Sequence, residues 1–320
     1  MEEKKAVLFD IGRYRNADGP GIRTILFFKG CPLRCKWCSN PFGLSGRKQL
    51  AVNPGKCTGC GACVEVCSRG CSSISEETGQ VVTDFFRCAS CGDCARSCQV
   101  GARSITGKEY TARQLYQEAR KDSAFYRRGG GGVTLSGGEV LTQWEVAAET
   151  LRLCRQDGIN CCLETSGYAP WDHLWAVARY CNTVFIDLKH IDSHRHRVLT
   201  GVPNEGILGN ITHLCQELPR LSGRVIVRIP LIPGYNDDED EVRRAAEFVA
   251  CLSGHPEMNL LPYHNLGETK YEMIGASYEL TGVESCKRSD DRLQRLHTLC
   301  RETAPDNRVS LGGDAIDLRM

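Results

Sequence analysis

The sequence lacks an excess of either charge. Its 320 residues hold 40 Lys and Arg against 39 Asp and Glu, a formal net charge of +1. No basic surplus is available to neutralise a row of phosphates, so nucleic-acid binding has no electrostatic support. Long apolar runs are also missing. No window approaches the ~20 apolar residues of a membrane span. The first residues, MEEKKAVLFDIGRYRNADGPG, do not contain the apolar core of a signal peptide. No membrane contact and a cytoplasmic location are expected. What is present is ordinary for a folded chain: 41% hydrophobic and 25% charged residues exclude wholesale disorder. The length suits one large domain, or one domain with a small insert.

Cysteine is the exception. Twenty are present, and twelve of them lie between Cys31 and Cys98. In a small secreted chain such density would mean a disulfide scaffold; in a chain with core material to spare it reads as metal ligation. The cysteines sort by spacing. Cys31, Cys35 and Cys38 form C-x3-C-x2-C in GCPLRCKWCSN. Cys57, Cys60, Cys63 and Cys67 form C-x2-C-x2-C-x3-C, and Cys88, Cys91, Cys94 and Cys98 repeat that spacing 31 residues later.

The repeated spacing is that of bacterial two-cluster ferredoxins, in which the fourth cysteine of each run ligates the other cluster. By that rule Cys57, Cys60, Cys63 and Cys98 hold one [4Fe-4S] cluster, and Cys67, Cys88, Cys91 and Cys94 hold a second. Ser68 and Gln99 stand where proline usually follows the fourth cysteine. A pair of zinc sites is the alternative, but zinc takes four ligands and leaves the extra cysteine of each run without a role. Cys71 is left over and reads as structural. The first set supplies only three thiolates to a four-iron cluster, which leaves one iron open, the logic of a catalytic site. Spacing alone leaves completion by a distant cysteine such as Cys154 or Cys181 open. Ligating cysteines are deprotonated, so three clusters take the net charge to about −4.

C-x3-C-x2-C with Trp37 before the third cysteine resembles the radical S-adenosylmethionine (SAM) superfamily. The flanks Gly19-Pro-Gly21-Ile-Arg23, Phe27, Gly30 and Asn40 are similar to the signature of glycyl-radical-enzyme activating enzymes. VTLSGGEVL (133–141), LETSGY (163–168), DLKHIDSHRHRVLTGV (187–202), VRIPLIPGYND (227–237) and LLPYHNLGETKY (260–271) follow in the family's order. The resemblance runs from Asp10 to about Tyr271 and favours the longer members, which carry a ferredoxin-like insert.

Periodicity agrees. Apolar runs at Thr24–Lys29, Val133–Leu135, Cys161–Glu164, Thr183–Leu188, Val225–Ile229 and Met258–Tyr263 read as strands. The amphipathic stretches Thr111–Asp122, Gln143–Gln156, Trp171–Tyr180, Glu205–Leu218 and Asp238–Leu252 lie between most of them, with Arg292–Glu302 after the last. Alternating strand and helix implies parallel strands with helices outside. Six units fit an α/β partial (β/α)6 TIM-like barrel, residues 1–50 and 100–320, with the ferredoxin-like two-cluster domain inserted at 51–99. Chemistry gathers at the C-terminal strand ends of such barrels.

The resemblance implies residue roles. Cys31, Cys35 and Cys38 hold the cluster that cleaves SAM. Gly137, Gly138 and Glu139 meet its amino group. Asp187, Leu188 and Lys189 meet amino and carboxylate groups, Arg228 carboxylate or ribose, and His264 the adenosyl part. Trp37, Cys38 and Ser39 pass backbone groups to the adenine. Glu164 and Thr165 stand where relatives hold a monovalent cation, although Phe185 replaces the methionine of that site. Asp18 recognises a partner's glycine loop. His190, His194 and His196 read as a solvated run, and Cys154, Cys161, Cys162, Cys181, Cys215, Cys251, Cys286 and Cys300 mostly as buried apolar side chains.

The implied activity is reductive SAM cleavage, with the 5′-deoxyadenosyl radical abstracting hydrogen from a backbone glycine of a glycyl radical enzyme. The implied cofactors are three [4Fe-4S] clusters and SAM. A flavodoxin or ferredoxin reductant, oxygen sensitivity, anaerobic metabolism and a monomeric state are expected. The alternatives are a radical SAM enzyme acting on a small molecule, and a multi-cluster electron carrier.

Overall fold

The computed structural model describes residues 3–16 and 18–312. The chain opens with the antiparallel pair β1 (Lys5–Arg15) and β2 (Arg23–Phe28). After the cysteine loop come β3 (Gln49–Val52), α1 (Ala62–Glu65), the hairpin β4 (Ser72–Ile74) and β5 (Val81–Thr83), α2 (Asp93–Ser97) and β6 (Arg103–Thr106). β3 and β6 pair antiparallel, from Gln49↔Thr106 to Val52↔Arg103, and close the base of the insert.

The chain then forms β7 (Lys108–Thr111), α3 (Ala112–Arg120), α4 (Ser123–Gly129), β8 (Gly132–Gly137), α5 (Trp144–Gln156), β9 (Asn160–Thr165), α6 (Trp171–Ala178) and β10 (Thr183–Asp187). It ends with α7 (Ser193–Thr200), α8 (Glu205–Glu217), β11 (Arg224–Leu231), α9 (Glu239–Ala250), β12 (Glu257–Pro262), α10 (Glu268–Glu272), α11 (Asp291–Thr303) and β13 (Val309–Leu311). A capping box starts α3: the Thr111 hydroxyl accepts from Gln114 N while Gln114 Oε1 accepts from Thr111 N, worth about 1 kcal/mol.

One nine-stranded sheet runs β13-β12-β11-β10-β9-β8-β2-β1-β7. From β2 to β13 every neighbouring pair is parallel. The strand order never reverses, so the sheet is wound in one direction and curls as a barrel does, while its two edges stay unjoined. It is a partial TIM-like barrel. The six expected strands are all present, and three more flank them. β1 and β7 extend one edge antiparallel, and the short β13 adds a seventh parallel strand. β7 and β13 have weak sequence signals because they are short edge strands, while β1, paired on both sides, has a short apolar stretch followed by a polar second half.

Alternation along β10 explains the two sides. Val184 and Ile186 enter the large core shared with the helices. Phe185 points the other way and packs inside the barrel with Cys162 and Ile226. Cys154, Cys161, Cys162, Cys181, Cys215 and Cys300 are buried, as expected for apolar use, but Cys251 is exposed and Cys286 half-buried. The histidine run departs from the solvated reading. His194 is exposed, whereas His196 is fully buried and His190 nearly so. The turn of α7 puts His196, Leu199 and Thr200 on its inward stripe, with His196 Nδ1 at 2.6 Å from Val202 O. His190 lies against Glu241, Nδ1 to Oε2 3.1 Å. Among the described residues no helix is long and apolar enough to cross a membrane.

Candidate functional site

The loop after β2 presents Cys31, Cys35 and Cys38 to a cavity of about 610 Å3, whose other walls are the C-terminal ends of the parallel strands. Little regular structure holds this loop, so its backbone is anchored from outside. Arg34 N donates to Thr200 O (2.6 Å) and Lys36 N to Leu199 O (3.1 Å). Lys270 Nζ donates to Ser39 O at 2.9 Å. Gly267 lies so close that a Cβ there would sit 2.8 Å from the Cys38 carbonyl oxygen. Trp37 is buried with Tyr263, Tyr271 and Tyr278.

Burial pushes the Cys31 thiol up to about 12, with Glu139 adding to the effect, and the Cys35 thiol up to about 11 against the pull of Lys189. Free thiolates are costly in such a place. Three thiols grouped there suit an iron–sulfur core that shares their charge. Cys154 and Cys181 are in the helix-side core, which removes both as a fourth ligand. Cys286 is the other cysteine lining the cavity. Its N–H donates to Tyr263 O, and after burial the charge acting most on it is that of Asp290.

The GG pair lies at the end of β8. Gly137 (φ +123°) and Gly138 run against Phe28, Gly30 and Gly43, and a Cβ on either would come within 2.4 Å of backbone oxygen. Close approach is therefore to the chain's own backbone. Both glycines line the cavity; Glu139 does not. Its carboxylate, 1% exposed, accepts from Thr165 Oγ1 (2.7 Å), Ser166 N (2.8 Å), Ser166 Oγ (2.5 Å) and Leu141 N (3.1 Å). Burial raises its pKa, and these hydrogen bonds oppose that rise. Glu139 thus ties the end of β8 to the end of β9.

A chain of charges crosses the cavity floor. Lys189 Nζ meets Asp187 Oδ2 at 2.7 Å, Asp187 Oδ1 accepts from Arg228 Nε at 2.8 Å, and Arg228 meets Glu164 Oε1 at 2.6 Å. Glu164 Oε2 accepts from Ser136 Oγ at 2.5 Å. The Arg228 guanidinium also lies over the Phe185 ring, 5.4 Å from its centroid, a cation–π contact. Burial alone would raise Asp187, but Arg228 and Lys189 hold its carboxyl below the ordinary range. Burial would lower Lys189, and Asp187 holds it above its ordinary value. Leu188 faces the core, 1% exposed. Thr165 lines the cavity while its hydroxyl donates to Glu139, so Glu164 and Thr165 both have partners within the protein.

His264 lines the same cavity; burial, and then Lys270, lower its pKa. Asp18 lines the cavity as well. Its position depends on Arg23, whose fully buried guanidinium donates to Pro20 O (2.9 Å), Val133 O (2.6 Å) and Thr134 Oγ1 (2.6 Å). Thr134 Oγ1 in turn donates to Asp18 O. Burial and the nearby Glu164 raise the Asp18 pKa to about 6, against Arg228, Arg15 and Arg23. Of the residues proposed from sequence for SAM, all but Glu139 and Leu188 line this one cavity.

Sequence reasoning passed over Ser166, Lys270 and Asn236. Asn236 Nδ2 donates to Lys189 O (2.8 Å) and Pro230 O (2.7 Å), holding the ends of β10 and β11 together. The GYND and NLGETKY segments were the available signals for Asn236 and Lys270.

In the insert, Cys67, Cys88, Cys91 and Cys94 line one small cavity with Cys71, and burial raises the Cys63 thiol, with Cys94 and Cys57 adding to the rise against Arg103. The internal repeat is structural. Gly61 and Gly92, 31 residues apart, are the left-handed N-caps (φ 77° and 87°) of α1 and α2. All twenty cysteines are free. Among the described residues no three His, Cys, Asp or Glu side chains close on a single ion.

Comparison with known proteins agrees with this geometry. The Radical SAM superfamily profile matches residues 90–246, and that of a 4Fe-4S dicluster domain residues 56–102. The choline trimethylamine-lyase activating enzyme of Oleidesulfovibrio alaskensis is 42% identical over 94% of this chain and 97% of its own. The trans-4-hydroxy-L-proline dehydratase activating enzyme of Clostridioides difficile is 41% identical over 88% and 93%. The (2S)-3-sulfopropanediol dehydratase activating enzyme of Klebsiella oxytoca is 39% identical over 88% and 90%. With such identity along nearly its whole length, this chain belongs to the glycyl-radical-enzyme activating enzymes of the radical SAM superfamily, which use SAM and a [4Fe-4S] cluster to act on a partner enzyme.

Proposed function

We propose that Cys31, Cys35 and Cys38 hold a [4Fe-4S] cluster with one open iron, and that the cavity beside it takes SAM. Convergence of the three thiols and five strand ends on one cavity carries this reading. When bound, the cluster supplies one electron to the SAM sulfonium, giving methionine and the 5′-deoxyadenosyl radical.

The chain's own residues orient the nucleoside. Asp187 and Lys189 offer one charge of each sign in the corner next to Cys35, matching an aminoacyl zwitterion. Arg228 has Asp187 and Glu164 as partners through Nε and Nη1, so it orients Asp187 and keeps further guanidinium N–H groups for the carboxylate or ribose of SAM. It also places a resident cation between the carboxylates that a monovalent ion would otherwise meet. Glu139 acts by holding Thr165 and Ser166 in the wall. Backbone groups of Trp37, Cys38 and Ser39 face the adenine, with His264 on the adenosyl side.

The partner is a glycyl radical enzyme, and Asp18 is the group offered to its glycine loop. The insert, residues 51–99, carries two further clusters: Cys57, Cys60, Cys63 and Cys98 hold one, Cys67, Cys88, Cys91 and Cys94 the other. Clusters held there would serve as the path for electrons from a flavodoxin or ferredoxin to the site at Cys31, Cys35 and Cys38, in a monomeric, cytoplasmic enzyme. Anaerobically reconstituted protein with reductant is expected to cleave SAM to 5′-deoxyadenosine and to produce a glycine-centred EPR signal on a co-incubated partner. Cys35→Ala should abolish cleavage and keep the insert clusters. Continued cleavage by that variant would defeat the assignment.

A further inference from the structure

The HIDSHRHRVLTGV run has no role so far beyond its first residues, yet its helix reaches the cysteine loop. α7 ends on Gly201, left-handed at φ 85°, whose N–H donates to Arg197 O. A helix end leaves its last carbonyls without partners inside the helix. Here two are taken from outside: Thr200 O accepts from Arg34 N at 2.6 Å, and Leu199 O from Lys36 N at 3.1 Å. Gly201 closes on the same chain, and a Cβ there would lie 3.6 Å from Arg34 Cβ. The Arg34 guanidinium in turn donates to Cys31 O (2.6 Å) and Leu33 O (2.7 Å). Residues 34–36, which bracket Cys35, therefore rest on the end of α7. One imidazole holds that end. His196 is fully buried, and its Nδ1 lies 2.6 Å from Val202 O. A carbonyl only accepts, so Nδ1 carries the proton. Thr200 Oγ1 donates to His196 O at 2.8 Å and closes the same turn. Nε2 is buried with no hydrogen-bond partner among the described residues. Burial lowers the His196 pKa against the Val202 hydrogen bond, and Lys189 adds to the fall, which keeps the ring neutral.

We propose that His196 is a positioning residue for the three-cysteine site. Its Nδ1–H fixes the turn from Thr200 to Val202, and that turn fixes the two carbonyls on which residues 34–36 are seated. Hydrogen bonds behind a metal ligand orient it and tune the metal it holds. Here they run from the ring through backbone to the chain on both sides of Cys35. The consequence for SAM rests on Cys31, Cys35 and Cys38 holding a cluster with one open iron; the seat itself does not.

The test uses the full-length chain, iron-free and anaerobically reconstituted, with His196→Asn, His196→Gln and His196→Leu. An asparagine amide takes the place of Nδ1, whereas a glutamine amide reaches toward the place of Nε2. In the iron-free proteins, hydrogen exchange of the Arg34 and Lys36 amides should run about fivefold faster in His196→Leu and His196→Gln, the worth of one hydrogen bond. His196→Asn should stay near wild type, and the β4–β5 hairpin of the insert should be unmoved in all three. In the reduced, reconstituted proteins the EPR change on adding SAM should need more SAM in His196→Leu and His196→Gln, and return to the wild-type dose in His196→Asn. Equal exchange in His196→Asn and His196→Gln would overturn the proposal, and that pair decides it should His196→Leu not fold. So would faster exchange with an unaltered SAM response, or protection lost across the whole barrel in all three variants. A wild-type EPR signal indifferent to SAM would defeat the open-iron reading instead, while exchange in the iron-free chain still judges the seat.

Discussion

Replacing Arg228 by methionine tests whether its guanidinium is the keystone of the cavity floor. The side chain keeps comparable length and loses its charge, leaving Asp187 (17% exposed) and Glu164 (11% exposed) without their common partner. Asp187 retains Lys189; Glu164 retains only the Ser136 hydroxyl. Breaking a buried pair by removing one member costs about 3–5 kcal/mol. Spread over a chain of this size, that lowers the melting temperature by roughly 5–15 °C.

The pH dependence has a definite sign. In the wild type Asp187 lies below its unfolded value, so its contribution is fully present above the unfolded pKa and is lost only as pH falls through the folded one. In the variant burial gains on the remaining attraction of Lys189 and moves Asp187 upward. The deficit is therefore largest near neutral pH and narrows as acidification protonates Asp187 in the variant. Adding Glu164→Gln to the variant should recover about 1–2 kcal/mol by removing one stranded charge. Thermal unfolding of the anaerobic protein followed by circular dichroism reads all of this. A loss below about 1 kcal/mol, or no recovery in the double variant, would refute the keystone argument.

Lys189→Met should weaken SAM binding by roughly 10- to 100-fold, the range of one charge-assisted hydrogen bond, with iron content unchanged; equilibrium dialysis checks it. Gly267→Ala should disturb the cysteine loop, since its Cβ would meet the Cys38 carbonyl oxygen at 2.8 Å, and is expected to slow 5′-deoxyadenosine formation with the protein still folded. Asp18 titrates at about 6, so partner activation measured by the glycyl-radical EPR signal should fall as pH drops through that value, a limb absent from Asp18→Asn. For stability the same group acts in the opposite direction: its folded pKa is raised, so the native state takes up the proton first and gains from Asp18 as pH falls below about 6.

What could be read from the chain was local. Three cysteines within eight residues are neighbours in any fold, so their grouping in one loop follows from spacing alone; that Cys154 and Cys181 lie too far into the helix-side core to join them did not. The 31-residue repeat likewise determined the two-cluster insert, and the alternation of apolar runs with amphipathic stretches determined the barrel strands. β1, β7 and β13 were passed over because pairing with neighbouring strands supplies what their own patterns lack. His196 and His190 were misread: the turn of α7 carries His196 inward, and His190, ahead of that helix, is covered against Glu241.

The tertiary structure decided the direction of side chains across the barrel mouth. Arg228 and Glu164 are 64 residues apart and meet because β9, β10 and β11 lie in parallel register. Glu139 turns from the cavity because Thr165 and Ser166, brought to it by the neighbouring strand, satisfy its carboxylate. Spacing along a chain determines which ligands can share a metal cluster. Only the pairing of distant strands determines which charges neutralise one another and which are left for a substrate.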